Sequence, residues 1–266
     1  MKSEFRIGRV FLRKMNAILQ KCLPALLTLC SRRIAKLVSQ ENLAQNTAHD
    51  IAGRFIFDQH TPEIHAFRFG KSRADASGCG PISVYNALLL AERPAGFSEV
   101  IRQMERERGA VRGGRWGANP AAIARVLPLH GVQARHFKKP EQLANALENG
   151  DTAIVMIWND KSDLRRGAHF FAVQKTAAGC RAYNRFSGQK TPFTRTQFSE
   201  ILETGRYISG YILSPPPGRL MHPAGIRPKT GRRYTHDLYG SDRADLFLSQ
   251  AYEIRRAERH VPGDGV

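Results

Sequence analysis

The sequence predicts an α+β domain, helical in its first half and built on an antiparallel sheet in its second. Three observations carry that reading. Before Gly150 the apolar residues recur at helical spacing, as in Val100, Ile101 and Met104. From Thr152 onward they gather in short β-rich runs separated by turn residues, beginning with the run from Thr152 to Trp158. Ser214-Pro215-Pro216-Pro217-Gly218 then ends the pattern, because proline has no N–H to give a sheet ladder and stiffens the chain into a polyproline-II spacer. The chain therefore divides into an amino-terminal helical extension over residues 1–60, a domain over 61–214, and a polar, largely disordered Pro/Arg-rich tail over 215–266.

Each element has its own local cause. Phe11, Met15, Ile18, Leu19, Leu26, Leu29, Ile34, Leu37 and Val38 lie near helical spacing, and Pro24 splits them into two helices. Arg54 to Gly70 is less regular, with Phe55 to Phe57 and Phe67 to Phe69 reading as short extended pieces. The next helix is entered through Ser77-Gly78-Cys79-Gly80-Pro81 and runs to Leu90; it is apolar on nearly all sides and so is expected to be central and buried. Ser98 is placed to cap a helix that runs to Arg108. Gly109 to Gly117, rich in glycine and arginine and containing Trp116, reads as a mobile loop. Asn119-Pro120 opens a helix closed by Gly131, Val132 to Phe137 is a short strand, and Lys139-Pro140-Glu141 opens a helix ending at Asn149-Gly150. The sheet segments are Thr152 to Trp158, apolar enough to be interior, then Ala168 to Gln174, Gly179 to Phe186 and Arg206 to Leu213, with a short helix from Thr196 to Glu203.

Charge is the unusual part of the composition. Among 266 residues, 41 Lys+Arg against 23 Asp+Glu give a net charge of +18. That balance suits contact with polyanions, nucleic acid or an anionic membrane, through the basic ends. No single basic block dominates, so a solvated arginine-rich surface accounts for it as well. The four cysteines, Cys22, Cys30, Cys79 and Cys180, form no CxxC pair and no zinc-ligand cluster with histidine. No metal or other cofactor is expected, and such sparse usage fits a reducing, cytoplasmic compartment. A basic start (Lys2, Arg6, Arg9, Arg13, Lys14) precedes about fourteen mostly apolar residues from Ala17 to Cys30, too short a run to span a bilayer. Lys21 and Pro24 interrupt it and Ser31-Arg32-Arg33 is a poor cleavage context; a helix packed on the domain, a helix on an anionic membrane and an export signal all stay open.

The chemistry converges on Cys79. The first turn of a helix leaves backbone N–H groups unpartnered and carries the positive end of the helix dipole. Both effects favour a thiolate, so a cysteine there is expected to have a lowered pKa and to act as a nucleophile. It needs a base nearby in space and a third group to hold that base's tautomer. Of nine histidines, His169 is the best base, standing at the start of an apolar strand that Phe170, Phe171 and Val173 anchor. Asn184, in Tyr183-Asn184-Arg185, falls on the next antiparallel strand and is placed to fix the His169 ring N–H. Cys180 reads as an ordinary buried cysteine, Trp116 and Trp158 as core or cleft wall, and Asp160 and Asp163 as polar-loop residues.

The order Cys79, His169, Asn184 resembles the papain-like cysteine peptidase superfamily, and more closely its compact bacterial branch, the family C39-like peptidases. The matching pieces are Gly78-Cys79-Gly80-Pro81, Gly167-Ala168-His169-Phe170, and Tyr183-Asn184 followed by Ser187-Gly188, over roughly residues 65–213. The resemblance implies a papain-like fold and a cysteine-dependent hydrolase, a peptidase acting on a peptide or protein. Cys79 would be the nucleophile, His169 the general base and later acid, and Asn184 the orienter, with an acyl-enzyme thioester between the two half-reactions. One position departs from the family pattern. A glutamine usually stands about six residues before the cysteine and binds the oxyanion; Arg73 stands there instead, with Ser72 and Asp75 nearby. Arg73 and Ser72 are thus the candidates to join the Cys79 backbone N–H as oxyanion donors. At the third position family members commonly have Asp and papain has Asn, so Asn184 fits. The missing glutamine also favours an alternative: a weak or inactive papain-like domain in a basic protein that binds nucleic acid or anionic membrane. The same triad would serve deamidation or acyl transfer equally.

Overall fold

A computed structural model describes residues 33–163, 167–203 and 205–214. Residues 1–32 with Pro24, the proline run from Pro215, the tail, and the basic ends expected to meet polyanions lie outside the described residues, while Ile34, Leu37 and Val38 fall in a helix as expected. The chain divides into two units, Met1–Pro216 and Pro217–Val266, and every described residue belongs to the first. Among the described residues no helix is long and apolar enough to cross a membrane.

Helix α1, residues 33–47, is joined to the body by amides rather than by apolar side chains. Asn46 grips the backbone of Arg68 at both ends, accepting from its N–H (2.8 Å) and donating to its carbonyl (2.9 Å), as a neighbouring strand would. Asn42 donates to the Gly70 carbonyl (2.7 Å) and to Glu105 Oε1 (2.5 Å). These contacts fix a hairpin of two short strands, β1 (Arg68–Phe69) and β2 (Ser72–Arg73). Two single turns flank the hairpin, α2 (Pro62–His65) and α3 (Ala74–Ser77), each too short for periodicity to reveal.

Helix α4 (Cys79–Leu90) is buried from Cys79 through Leu88, as its all-round apolar character predicts. Helix α5 (Phe97–Arg106) starts from Gly96 rather than from a Ser98 cap. Asp50 reaches in and accepts from the Ser98 N–H (2.8 Å), and among the described residues the Ser98 hydroxyl has no partner. A remote carboxylate thus does what the local sequence assigns to serine. Helix α6 (Pro120–Val126) is capped as expected, Asn119 Oδ1 accepting from the Ala121 N–H (3.0 Å), and a 3₁₀ turn (Leu127–His130) ends at Gly131 with φ +69°.

The stretch between α5 and α6 is held by backbone hydrogen bonds. Val111 accepts from Gly114 N–H and donates to Gly117 O, Asn119 donates to Gly109 O, and Lys71 of the hairpin donates to Gly113 O. Its glycines are needed for close approach: a Cβ on Gly114 would overlap the Phe69 carbonyl, and one on Gly80 of α4 would overlap Ala118 Cβ.

Six further strands form one antiparallel sheet: β3 (Gln133–Phe137), β4 (Thr152–Trp158), β5 (Ala168–Thr176), β6 (Gly179–Tyr183), β7 (Phe193–Arg195) and β8 (Arg206–Ser214). Their order is β3-β8-β4-β5-β6-β7. One face buries Ala153, Val155, Ile157, Phe171, Val173 and Ile212 with residues of α7 (Pro140–Ala146) and α8 (Phe198–Leu202). The alternate residues Ile154, Met156, Phe170 and Ala172 are buried as well, and α4 packs on β4 and β5. A sheet buried on both faces reads as continuous apolar runs, which is how β4 and β5 appear in the sequence. The α+β class is therefore as expected, with β7 as an added edge strand.

Glu105, on α5, joins α1 to the hairpin. Its Oε1 accepts from Asn42 and from the Gly70 N–H (2.7 Å), while Oε2 is buried and has no partner among the described residues. Burial pushes its carboxyl up to about 7 despite those two donors. The folded pKa stands above the unfolded one, so this contribution to stability is complete below the unfolded value and is lost as pH rises through about 7. Replacing Glu105 by Gln should remove a pH-dependent penalty on the order of 2–3 kcal/mol. In urea melts the advantage of Glu105→Gln over the wild type should grow between pH 5 and pH 8; a constant difference would show that Glu105 does not titrate in that window.

Candidate active site

The site forms where β6 leaves β5. The last pair between them is Ala172↔Tyr183, and among the described strands Ala168 to Phe171 pair with β4 alone. Phe170 lies on that free edge, and its backbone favours the thiolate of Cys79, which arrives on the first turn of α4. The N–H groups of Gly80 and of Cys79 itself also face the sulfur. Cys79 is 7 % exposed, so its thiol lies at the bottom of this notch rather than on the surface.

His169 lies one residue before Phe170. Its Nε2 donates to the backbone carbonyl of Asn184 (2.5 Å). A carbonyl only accepts, so this bond places the proton on Nε2 and leaves Nδ1 with its lone pair. Asn184 brings its carbonyl there by adopting φ +59°, a left-handed conformation that asparagine tolerates better than most residues. The side chain of Asn184 is occupied elsewhere: Oδ1 accepts from the Gln59 N–H (2.9 Å) and Nδ2 lies 3.5 Å from Gln59 Oε1. The orienting contact made by Asn184 thus comes from its main chain, not from its amide. Among the described residues no hydrogen bond joins Cys79 to His169.

Burial pushes the Cys79 thiol up, and the surrounding N–H groups only partly oppose it. The helix start acts in the expected direction, but desolvation outweighs it. Burial also pulls the His169 imidazolium down to about 4; the Asn184 carbonyl opposes this, and the positive charge of Arg185 and His60 adds to it. At neutral pH the two groups are a neutral thiol and a neutral imidazole, not an ion pair.

Arg73 and Ser72 lie around the hairpin. The Arg73 guanidinium is half exposed and pairs with Asp75 (3.2 Å), whose other oxygen meets His65 Nδ1 (2.9 Å). Ser72 is paired with Phe69 in the hairpin and borders Gly114. The residue that sequence reasoning missed is Gln59. Its side chain is buried, donates to the Asp75 carbonyl (3.0 Å) four positions before Cys79, and lies against Asn184. The one available signal was that Gln59 is the sole glutamine between Gln45 and Cys79. Trp158 pairs with Ala168 at the end of β4, and Arg112 lies over the Trp116 ring (4.3 Å). Asp160 accepts from Ser162 and Asp163 within a polar turn, and Cys180 is part of the core.

No family model matches this chain, and no curated protein matches it. Among solved structures it is similar to one described as a double glycine motif protease from an AMS/PCAT transporter in complex with the leader peptide. The identity is 15%, the TM-score 0.36, and the match covers 52% of this chain and 84% of that chain.

The double use of Asn184 has a measurable consequence. Asn184→Gly keeps the left-handed backbone but leaves the buried Gln59 N–H without its acceptor, a loss of about 1–3 kcal/mol. Asn184→Ala adds the left-handed strain of a Cβ, so urea denaturation should rank stability as wild type, then Gly, then Ala. Equal stability of the two variants would show that the strained backbone has relaxed.

Proposed function

We propose that the protein is a cysteine-dependent hydrolase of papain-like architecture that cleaves amide bonds in a peptide or protein. The features that support this most are a buried cysteine on the first turn of α4, which packs on β5, and a histidine on that strand whose Nε2 is already engaged. The nitrogen left to act is Nδ1. As the sulfur attacks the substrate carbonyl carbon, Nδ1 takes the thiol proton. The carbon–nitrogen bond then breaks, and Nδ1 returns that proton to the leaving amine. Water attacks the resulting thioester, His169 takes a proton from it, and the acid product leaves as the thiol is restored. Because thiol and base start neutral, charge appears only along the reaction path, where the Phe170 and Gly80 N–H groups and the helix start favour the sulfur anion.

For the developing oxyanion the Cys79 N–H is one donor. Gln59 is better placed to be the second than Arg73, whose guanidinium is bound to Asp75, or Ser72, which lies in the hairpin. The Gln59 carboxamide gives one hydrogen to Asp75 and has another to offer.

A weak or inactive domain in a polyanion-binding protein is the competing reading, and one experiment separates them. Iodoacetamide should modify Cys79 at pH 7 much faster than Cys180, and His169→Ala should slow it by on the order of a hundredfold. The acid limb of the wild-type rate should fall near pH 4, where His169 protonates, rather than near its ordinary value of 6.5. Cys79 reacting no faster than Cys180, with His169→Ala silent, would sink the hydrolase. Salt-sensitive binding to DNA or anionic vesicles would then support the competing reading.

A further inference from the structure

The partner of His169 is a peptide unit, and that unit is held at both ends. Its carbonyl, from Asn184, accepts from His169 Nε2; its N–H, from Arg185, donates to Gln189 Oε1 (3.0 Å). The same oxygen accepts from the Phe186 N–H (3.2 Å), and Gln189 Nε2 donates to the carbonyls of Ala182 (2.9 Å) and Thr191 (2.8 Å). Every hydrogen-bonding position of this carboxamide is used, so its plane cannot turn without breaking several bonds.

Arg185 secures the unit from the other direction. Its buried guanidinium donates through Nε to Ile201 O (3.0 Å) and through Nη2 to Leu202 O (2.9 Å), at the carboxyl end of α8, where a cation is favoured. It lies over Phe186 (4.2 Å) and faces Phe171 (5.2 Å), which in turn stacks with the His169 ring (6.2 Å between centroids, 21° between planes). Imidazole, phenyl, guanidinium and phenyl therefore form one continuous stack. Neither Gln189 nor Arg185 takes part in the acid–base steps of the proposed hydrolysis.

We propose that Gln189 and Arg185 are the positioning residues of His169: by fixing the Asn184–Arg185 peptide plane they hold the ring with its proton on Nε2 and Nδ1 open to the thiol. The catalytic meaning of this device rests on the hydrolase reading; the tautomer itself does not. A main-chain carbonyl can carry the orienting role only if its plane is immobile, which is what the carboxamide and the capped guanidinium provide.

The test is nitrogen-15 NMR of the histidine rings in the full chain at pH 7, with iodoacetamide modification of Cys79 measured in parallel. The wild type should show His169 as the Nε2–H tautomer. Gln189→Met, which removes both acceptor and donors, should give mixed tautomers and slow Cys79 modification by about tenfold or more. Gln189→Glu keeps an acceptor for the Arg185 and Phe186 N–H groups and should restore the Nε2–H tautomer, which a merely structural role for Gln189 would not require. If Gln189→Met does not fold, Gln189→Asn, one methylene too short to reach the plane, takes its place with the same expectation. A wild-type ring protonated on Nδ1 overturns the proposal and Nδ1 as the base with it; a folded Met or Asn variant with an unchanged tautomer overturns the proposal alone and leaves the hydrolase reading standing. The expected tautomers together with Cys79 modification indifferent to His169→Ala support the positioning role and overturn the hydrolase.

Discussion

The hydrogen bond from His169 Nε2 to the Asn184 carbonyl is the contact on which the candidate site depends. It exists because β6 stops at Tyr183, so that the chain can turn through a left-handed Asn184 and bring a main-chain acceptor to the exposed edge of β5. The same early stop leaves the Phe170 N–H free to meet the Cys79 sulfur. One interruption in a sheet ladder thus releases a donor for the thiol and an acceptor for the imidazole. Had β6 continued by two residues, both groups would face a strand.

The surroundings hold this interruption open from three sides. Gln59 takes the Asn184 amide and ties it to the segment leading into α4. Asp58 accepts from the Gly188 N–H (2.6 Å), so the chain before α2 is fastened to the far end of the same turn. Phe55 and Phe57 pack on the Tyr183 ring (4.6 and 5.9 Å). Stretch 55–59, which is not regular secondary structure, is therefore a buried brace. It gives the buried Asn184 side chain a partner, without which that group would be buried alone at a cost of about 1–3 kcal/mol.

Desolvation gives the site its charge state. A cysteine at a helix start suggests a thiolate in sequence, yet burial of the thiol and partial burial of the imidazole disfavour the charged form of each. Glu105 shows the same balance on the other side of the hairpin, where two donors do not outweigh burial. At these three groups burial outweighs the neighbouring donors and acceptors, whereas at Glu99 the Arg102 guanidinium prevails over burial and lowers the carboxyl.

Much of the architecture was legible without coordinates. The buried α4 with Cys79 on its first turn, the Asn119 cap, the Gly131 stop and the interior strands β4, β5 and β8 follow from local periodicity, capping chemistry and proline placement, which act over a few residues. What local chemistry could not supply were contacts across long separations. Asp50 caps α5 in place of Ser98, Gln59 occupies the Asn184 amide, and the loop after α5 is pinned to the hairpin by Gly113 and Lys71. The pKa directions belong with these, because burial is a property of the packed chain and no residue carries it in its own type. The sequence names Cys79, His169 and Asn184 as a group; only the fold decides that Asn184 serves His169 through its backbone, since that requires knowing where β6 ends and which partner has already claimed the side chain.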